Sequence, residues 1–188
     1  MSNNFNKELC AKCGGRCCKK SGCLISVRDC KEGIREKLGE LLRKNAVTLY
    51  VFPTDVFIEL IIESIVQITD GNLIASRRAL ELLSPQFRCL KGYPEVYIVK
   101  MRSEGWNKIE HINSLDDDLW RFDQAGKCVK LTSTGCEYSD DERPYGGVAL
   151  IPRVTADGNH YICHQTYSLM DNAIEWLFFH GVLWELFI

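Results

Sequence analysis

Apolar positions separate this chain into elements of two periods. Ser26, followed three residues later by Asp29, reads as a capping box that opens a helix. Ile34, Leu38, Leu41 and Leu42 then supply that helix with one apolar face. Val47 to Phe52 is a short, nearly continuous apolar run ended by Pro53, which predicts a strand. The spacing predicts helices over about 54–68 and 73–83, divided by the turn Thr69-Asp70-Gly71-Asn72 and stopped by Ser84-Pro85. Val96 to Met101, rich in β-branched and aromatic residues, predicts a second strand. Residues 103–165 are loop-heavy, and a last helix is expected over about 168–186, apolar nearly all round and therefore core or a docking surface.

These elements predict an α+β fold: one domain over 1–188, with a small sheet, several helices and long cysteine-bearing, metal-organised loops. Its parts are a cysteine-rich loop at 10–30, a helical middle at 31–90, a second cysteine region at 126–165 and the terminal helix. The most apolar window, LYVFPTDVFIELIIESIVQI, is long enough to suggest a membrane span. Asp55, Glu59, Glu63 and Gln67 recur every fourth residue within it and form one polar stripe, which excludes a lipid-facing helix.

Composition agrees with a globular protein: 46% hydrophobic and 26% charged residues, with a formal net charge of −2. That balance argues against nucleic-acid binding. Residues 1–45 nevertheless carry eleven Lys/Arg against five Asp/Glu. Cations such as Arg16, Lys19 and Lys20 suit a neighbourhood of thiolates. The amino terminus lacks the apolar core of a secretory peptide, so a cytoplasmic protein with no membrane association is expected. In a reducing compartment a dense cysteine pattern points to metal rather than disulfides.

There are ten cysteines, five of them in CAKCGGRCCKKSGC, Cys10 to Cys23. Cys10-x2-Cys13 has the spacing of a metal knuckle, and Gly14-Gly15 frees the backbone behind it. Cys17 can join the same centre. Cys18, its neighbour in a segment read as extended, should point the other way, so the pair serves two positions or one of the two thiols is spare. Cys23 closes the region. Cys128 and Cys136 each follow a glycine, Gly126 and Gly135 respectively, and Cys163 lies between His160 and His164. The candidate metal ligands are thus Cys10, Cys13, Cys17, Cys18, Cys23, Cys128, Cys136 and Cys163.

Four thiolates suit either an iron–sulfur cluster or tetrahedral zinc. The irregular spacing leans toward iron–sulfur, since a zinc ribbon wants a second C-x2-C. Cys30 and Cys89 read as small apolar gap-fillers. His160 and His164 read as surface or hydrogen-bonding groups, and His111 and His180 carry no signal. Asp116-Asp117-Asp118 and Asp140-Asp141-Glu142 read as solvated turns. No dinucleotide turn, P-loop, nucleophile elbow or H-E-x-x-H is present, and Cys163 beside His164 is a poor nucleophile pair because sequence neighbours seldom face each other.

C-x2-C-x3-CC near the start, then C-x2-L, G-C and R-P far downstream, resembles the YkgJ-type cysteine-cluster family, named for a CxxCxxCC motif and described as zinc- or iron-chelating domains. The matching residues are Cys10, Cys13, Cys17, Cys18, Cys128, Leu131, Gly135, Cys136, Arg143 and Pro144. Gly146-Gly147 and Ala173-Ile174-Glu175-Trp176 match a narrower branch. Three residues rather than two separate the second and third cysteines. Gly147 stands near the place of a cysteine that many members carry after R-P, so the resemblance implies that Cys163 substitutes for it. The resemblance implies metal chelation, most simply by a 4Fe-4S cluster or zinc. A related motif in flagellin lysine N-methylases adds an enzymatic analogy. Three readings follow: an iron–sulfur protein for electron transfer, redox sensing or metal handling; a zinc-stapled module that docks a protein partner; and a metal-dependent enzyme.

Overall fold

The computed structural model describes residues 7–115, 126–133, 135–139, 141–154 and 161–188, with the side chains of residues 7, 10, 11, 16, 17, 152, 153 and 161–165 outside that description. The fold is α+β. Strand β1 (Val47–Pro53) lies between β2 (Glu95–Met101), antiparallel to it, and the short β3 (Ile109–His111), parallel to it. Two two-stranded hairpins stand apart: β4 (Leu131–Thr132) with β5 (Gly135–Cys136), and β6 (Leu150–Val154) with β7 (Tyr161–Gln165).

The continuous apolar run of β1 has a simple cause: both faces of the sheet are covered. Tyr50 and Phe52 of β1, with Val96 and Ile98 of β2, join one core shared with α4 (Thr54–Ile68) and the end of α5 (Leu73–Leu90). Val47, Leu49 and Val51, with Tyr97, Val99 and Met101, face the other core, shared with α3 (Ile34–Arg43) and α8 (His180–Phe187). Helix α7 (Leu169–Leu177) lies along β2 and serves both, Ala173 and Leu177 entering the first core and Trp176 the second.

Asp55, Glu59, Glu63 and Gln67 are all exposed, as their spacing requires. Among the described residues no helix is long and apolar enough to cross a membrane.

Four expectations change. Residues 10–30 are not loop throughout. They contain α1 (Lys7–Cys13), α2 (Arg16–Lys20) and a 3-10 turn at Val27–Asp29. The Ser26–Asp29 capping box closes on that turn alone, and α3 starts separately after Gly33. Helix α5 runs through Ser84-Pro85 to Leu90, because Leu83, Phe87 and Leu90 continue its apolar stripe against the core. That packing offsets the roughly 3 kcal/mol that an interior proline costs. The terminal helix breaks at Phe178–Phe179. A straight helix apolar on every side cannot bury all its faces, and the break sends α7 and α8 to different surfaces, leaving Phe178 exposed.

Candidate metal centre

Three chain segments are knitted into one platform. Residues 22–25 run antiparallel along the free edge of β2: Met101 N–H donates to the Cys23 carbonyl (2.8 Å) and Ile25 N–H to the Val99 carbonyl (2.8 Å). Gly22 allows this approach, since a Cβ there would stand 1.8 Å from the Met101 carbonyl oxygen, and its N–H donates to Ser103 Oγ at 3.1 Å. Cys128 then bridges Ser103, donates its N–H to the Cys18 carbonyl at 2.7 Å, and is flanked by Val129 N–H donating to the Arg102 carbonyl at 3.0 Å. The β4–β5 hairpin, closed by Thr132 Oγ1 donating to the Gly135 carbonyl, brings Cys136 back opposite Leu131.

A fourth segment covers the platform. In α6 (Tyr145–Val148), Gly146 packs on Leu24 and Gly147 packs on Cys23. A Cβ at 147 would lie 3.3 Å from Cys23 Sγ and 3.0 Å from Arg143 Cγ. Tyr145 N–H donates to Asp29 Oδ1 at 2.8 Å, and the Arg28 guanidinium lies 4.7 Å from the centre of the Tyr145 ring.

The terminal helix locks the exit of the front cysteine region. Glu175 Oε2 accepts from Ser26 Oγ (2.6 Å), Val27 N–H (3.1 Å) and Tyr167 OH (2.7 Å), and its other oxygen pairs with Arg28 at 3.4 Å. Asn172 is fully buried. Its amide accepts from Val99 N–H at 3.0 Å and donates to the Ile25 carbonyl at 2.7 Å. Glu175 and Trp176 were visible beforehand only as letters of a motif, and Asn172 carried no sequence signal, because its role depends on two strands brought to it from elsewhere.

Cys128 and Cys136 lie near enough to Cys23 to act on its ionisation. Burial pushes the Cys23 thiol well up, the neighbouring Cys128 and Cys136 and then Asp29 add to the rise, and Arg143 opposes it. Burial also raises Tyr138 to about 12, with Cys23 and Cys128 among the smaller contributors after Glu137 and Glu40. Such a group is costly to ionise by itself. A bound cation would remove that penalty.

The remaining candidates are placed as follows. Cys18 sits half-buried on α2, so Cys17 and Cys18 occupy a helix rather than an extended segment; consecutive helical positions still project about 100° apart. Cys13 is half-buried at the end of α1, a helix that lies against β6; β7, which carries Cys163, pairs with β6 so that Cys163 is opposite Pro152. The side chains of Cys10, Cys17, Cys163 and His164, and all of His160, Asp116–Asp118 and Asp140, lie outside the described residues. Cys13, Cys23, Cys30, Cys89 and Cys136 are free thiols. Among the described residues no group of three or more His, Cys, Asp or Glu side chains is arranged to hold a metal ion.

Cys30 fills the second core, and burial raises its pKa to about 11. Cys89 is not a gap-filler: it stands exposed in the last turn of α5, on the side turned from the core. Asp141 and Glu142 are exposed, as expected of a solvated turn. A cleft of about 840 Å3 runs beside the platform, and its lining includes Arg28, Asp29, Tyr138, Arg143 and Tyr145.

No family model, curated protein or solved structure matches this chain. The candidate centre therefore stands on its own residues.

Proposed function

We propose that this chain is a cytoplasmic metal-binding protein that carries an iron–sulfur cluster, with a role in electron transfer, redox sensing or metal handling. The observation that supports it most directly is that Cys128 and Cys136, more than a hundred residues on in the sequence, lie near enough to Cys23 to raise the cost of ionising it. Cys10, Cys13, Cys17, Cys18 and Cys163 supply the further ligands. The C-x2-C-x3-CC motif with the later Cys128, Gly135-Cys136 and Arg143-Pro144 supports the same reading. Metal binding would release the thiol protons and contribute its free energy to folding.

A second reading, a metal-dependent enzyme, is favoured by the cleft that borders the second cysteine region. It requires a coordination position open to that cleft.

Anaerobic purification with metal and sulfide analysis tests both. The leading reading expects brown protein with stoichiometric iron and sulfide and broad visible absorption that bleaches on reduction. Colourless protein with stoichiometric zinc replaces it with a zinc-stapled module that docks a protein partner. Protein holding no metal after reconstitution with iron, sulfide or zinc overturns every metal reading.

A further inference from the structure

One cysteine of the front region and one of the second are held at a separation that a disulfide can span. Cys128 N–H donates to the Cys18 carbonyl at 2.7 Å. Standard bond lengths then keep the two Cα atoms within about 6.5 Å of each other, inside the roughly 4.4–6.8 Å that disulfides bridge. The side chains also share surroundings. Cys128 is buried in the second core, and Cys18, half-buried on α2, packs against that core. Leu131 turns back on Cys128, its N–H donating to the Cys128 carbonyl at 2.9 Å. A Cβ at Gly15 would meet Leu131 Cδ1 at 3.3 Å and Cys18 Cβ at 4.0 Å, so Cys18 stands beside that turn.

We propose that Cys18 and Cys128 are a redox pair, which a peroxide joins in a disulfide that ties α2 to the second cysteine region. Cys18 is the more open of the two and reacts first. Its sulfur takes one peroxide oxygen as the O–O bond breaks, and the other oxygen leaves as water with the thiol proton. The Cys128 sulfur then attacks the sulfenic acid so formed. The S–S bond forms, the S–O bond breaks, and a second water departs with the Cys128 proton. Together the two sulfurs give up two electrons, and the peroxide receives them. In a reducing compartment such bonds are transient and serve as sensors. The bond itself needs no metal. Only its consequence, that neither sulfur can ligate once joined, rests on the metal reading above.

Hydrogen peroxide added to the full chain after chelation of any metal, followed by tryptic mapping without reduction, tests it. Tryptic peptides 17–19 and 128–130 carry the pair. They should be found linked, with loss of most of the unlinked 128–130 peptide, and dithiothreitol should part them. Peptide 17–19 also contains Cys17. Cys17→Ser should therefore keep the link and Cys18→Ser should lose it, each with an unchanged circular dichroism spectrum. No link in the wild type, its loss in Cys17→Ser, its survival in Cys18→Ser, or Cys128 joined instead to Cys23 or Cys136 overturns the proposal. Metal content is measured on the untreated protein, so a failed metal reading and a failed redox pair give different results.

Discussion

The indole N–H of Trp176 donates to the carbonyl of Ile25 at 2.8 Å, so the terminal helix holds the very segment that leads out of the front cysteine region. The same carbonyl also accepts from Asn172. Losing one donor leaves the other. Trp176→Phe should therefore cost only about 1 kcal/mol of hydrogen bonding, while Asn172→Ala leaves the buried Val99 N–H without its acceptor and should cost about 2–3 kcal/mol. Urea unfolding measures each cost, and an Asn172→Ala variant as stable as the wild type would refute the account.

Gly22 is required for space. Its Cα passes so close to β2 that an added methyl would overlap the Met101 carbonyl. Gly22→Ala should destabilise by roughly 3 kcal/mol or more and should lower metal content with it, because it displaces the strand that carries Cys23. Gly71→Ala meets no neighbour and suffers only the positive φ of its turn, about 1–2 kcal/mol. Thermal or chemical unfolding that ranks the two equally would contradict this account.

Ligand candidates and bystanders should separate on substitution. Cys23→Ser, Cys128→Ser and Cys136→Ser are expected to lower bound metal severalfold or abolish it, and Cys89→Ser and Cys30→Ala to leave it unchanged. Elemental analysis of protein purified anaerobically decides. Equal metal content across all five would remove the platform from consideration.

In the metal-free protein the thiols should react in order of access. Cys89 is exposed, whereas Cys23 is half-buried with its pKa raised, and Cys30 is buried with its pKa raised to about 11. Brief alkylation near neutral pH followed by peptide mass spectrometry should find Cys89 modified first, with Cys23 and Cys30 well behind it. Early modification of Cys23 would mean that α6 does not cover it in solution.

Asp29 carries a pH dependence of definite sign. Burial outweighs the hydrogen bonds from Tyr145 and Ser26, so its pKa is raised. The fold favours the protonated carboxyl; that contribution is complete below the ordinary carboxylate pKa of about 3.9 and is lost as pH rises through the raised folded value. The stability of the wild type relative to Asp29→Asn should therefore fall as pH rises from acid toward neutral. Urea unfolding at a series of pH values measures it, and a difference that grows with pH would contradict the burial.

By itself the sequence determined the local elements. Helical spacing of Ile34, Leu38 and Leu41, the run from Val47 to Phe52, and the every-fourth-residue acids of α4 each report an interaction between near neighbours, and near neighbours are what a sequence displays. It also displayed which side chains are chemically capable of ligating a metal. Tertiary structure alone decided that α5 passes through Pro85, that the terminal helix breaks at Phe178, and that Gly147 lies against Cys23. Those outcomes depend on distant surfaces competing to be buried, and Leu90, Trp176 and Cys23 have no neighbour in sequence that announces which surface they will meet.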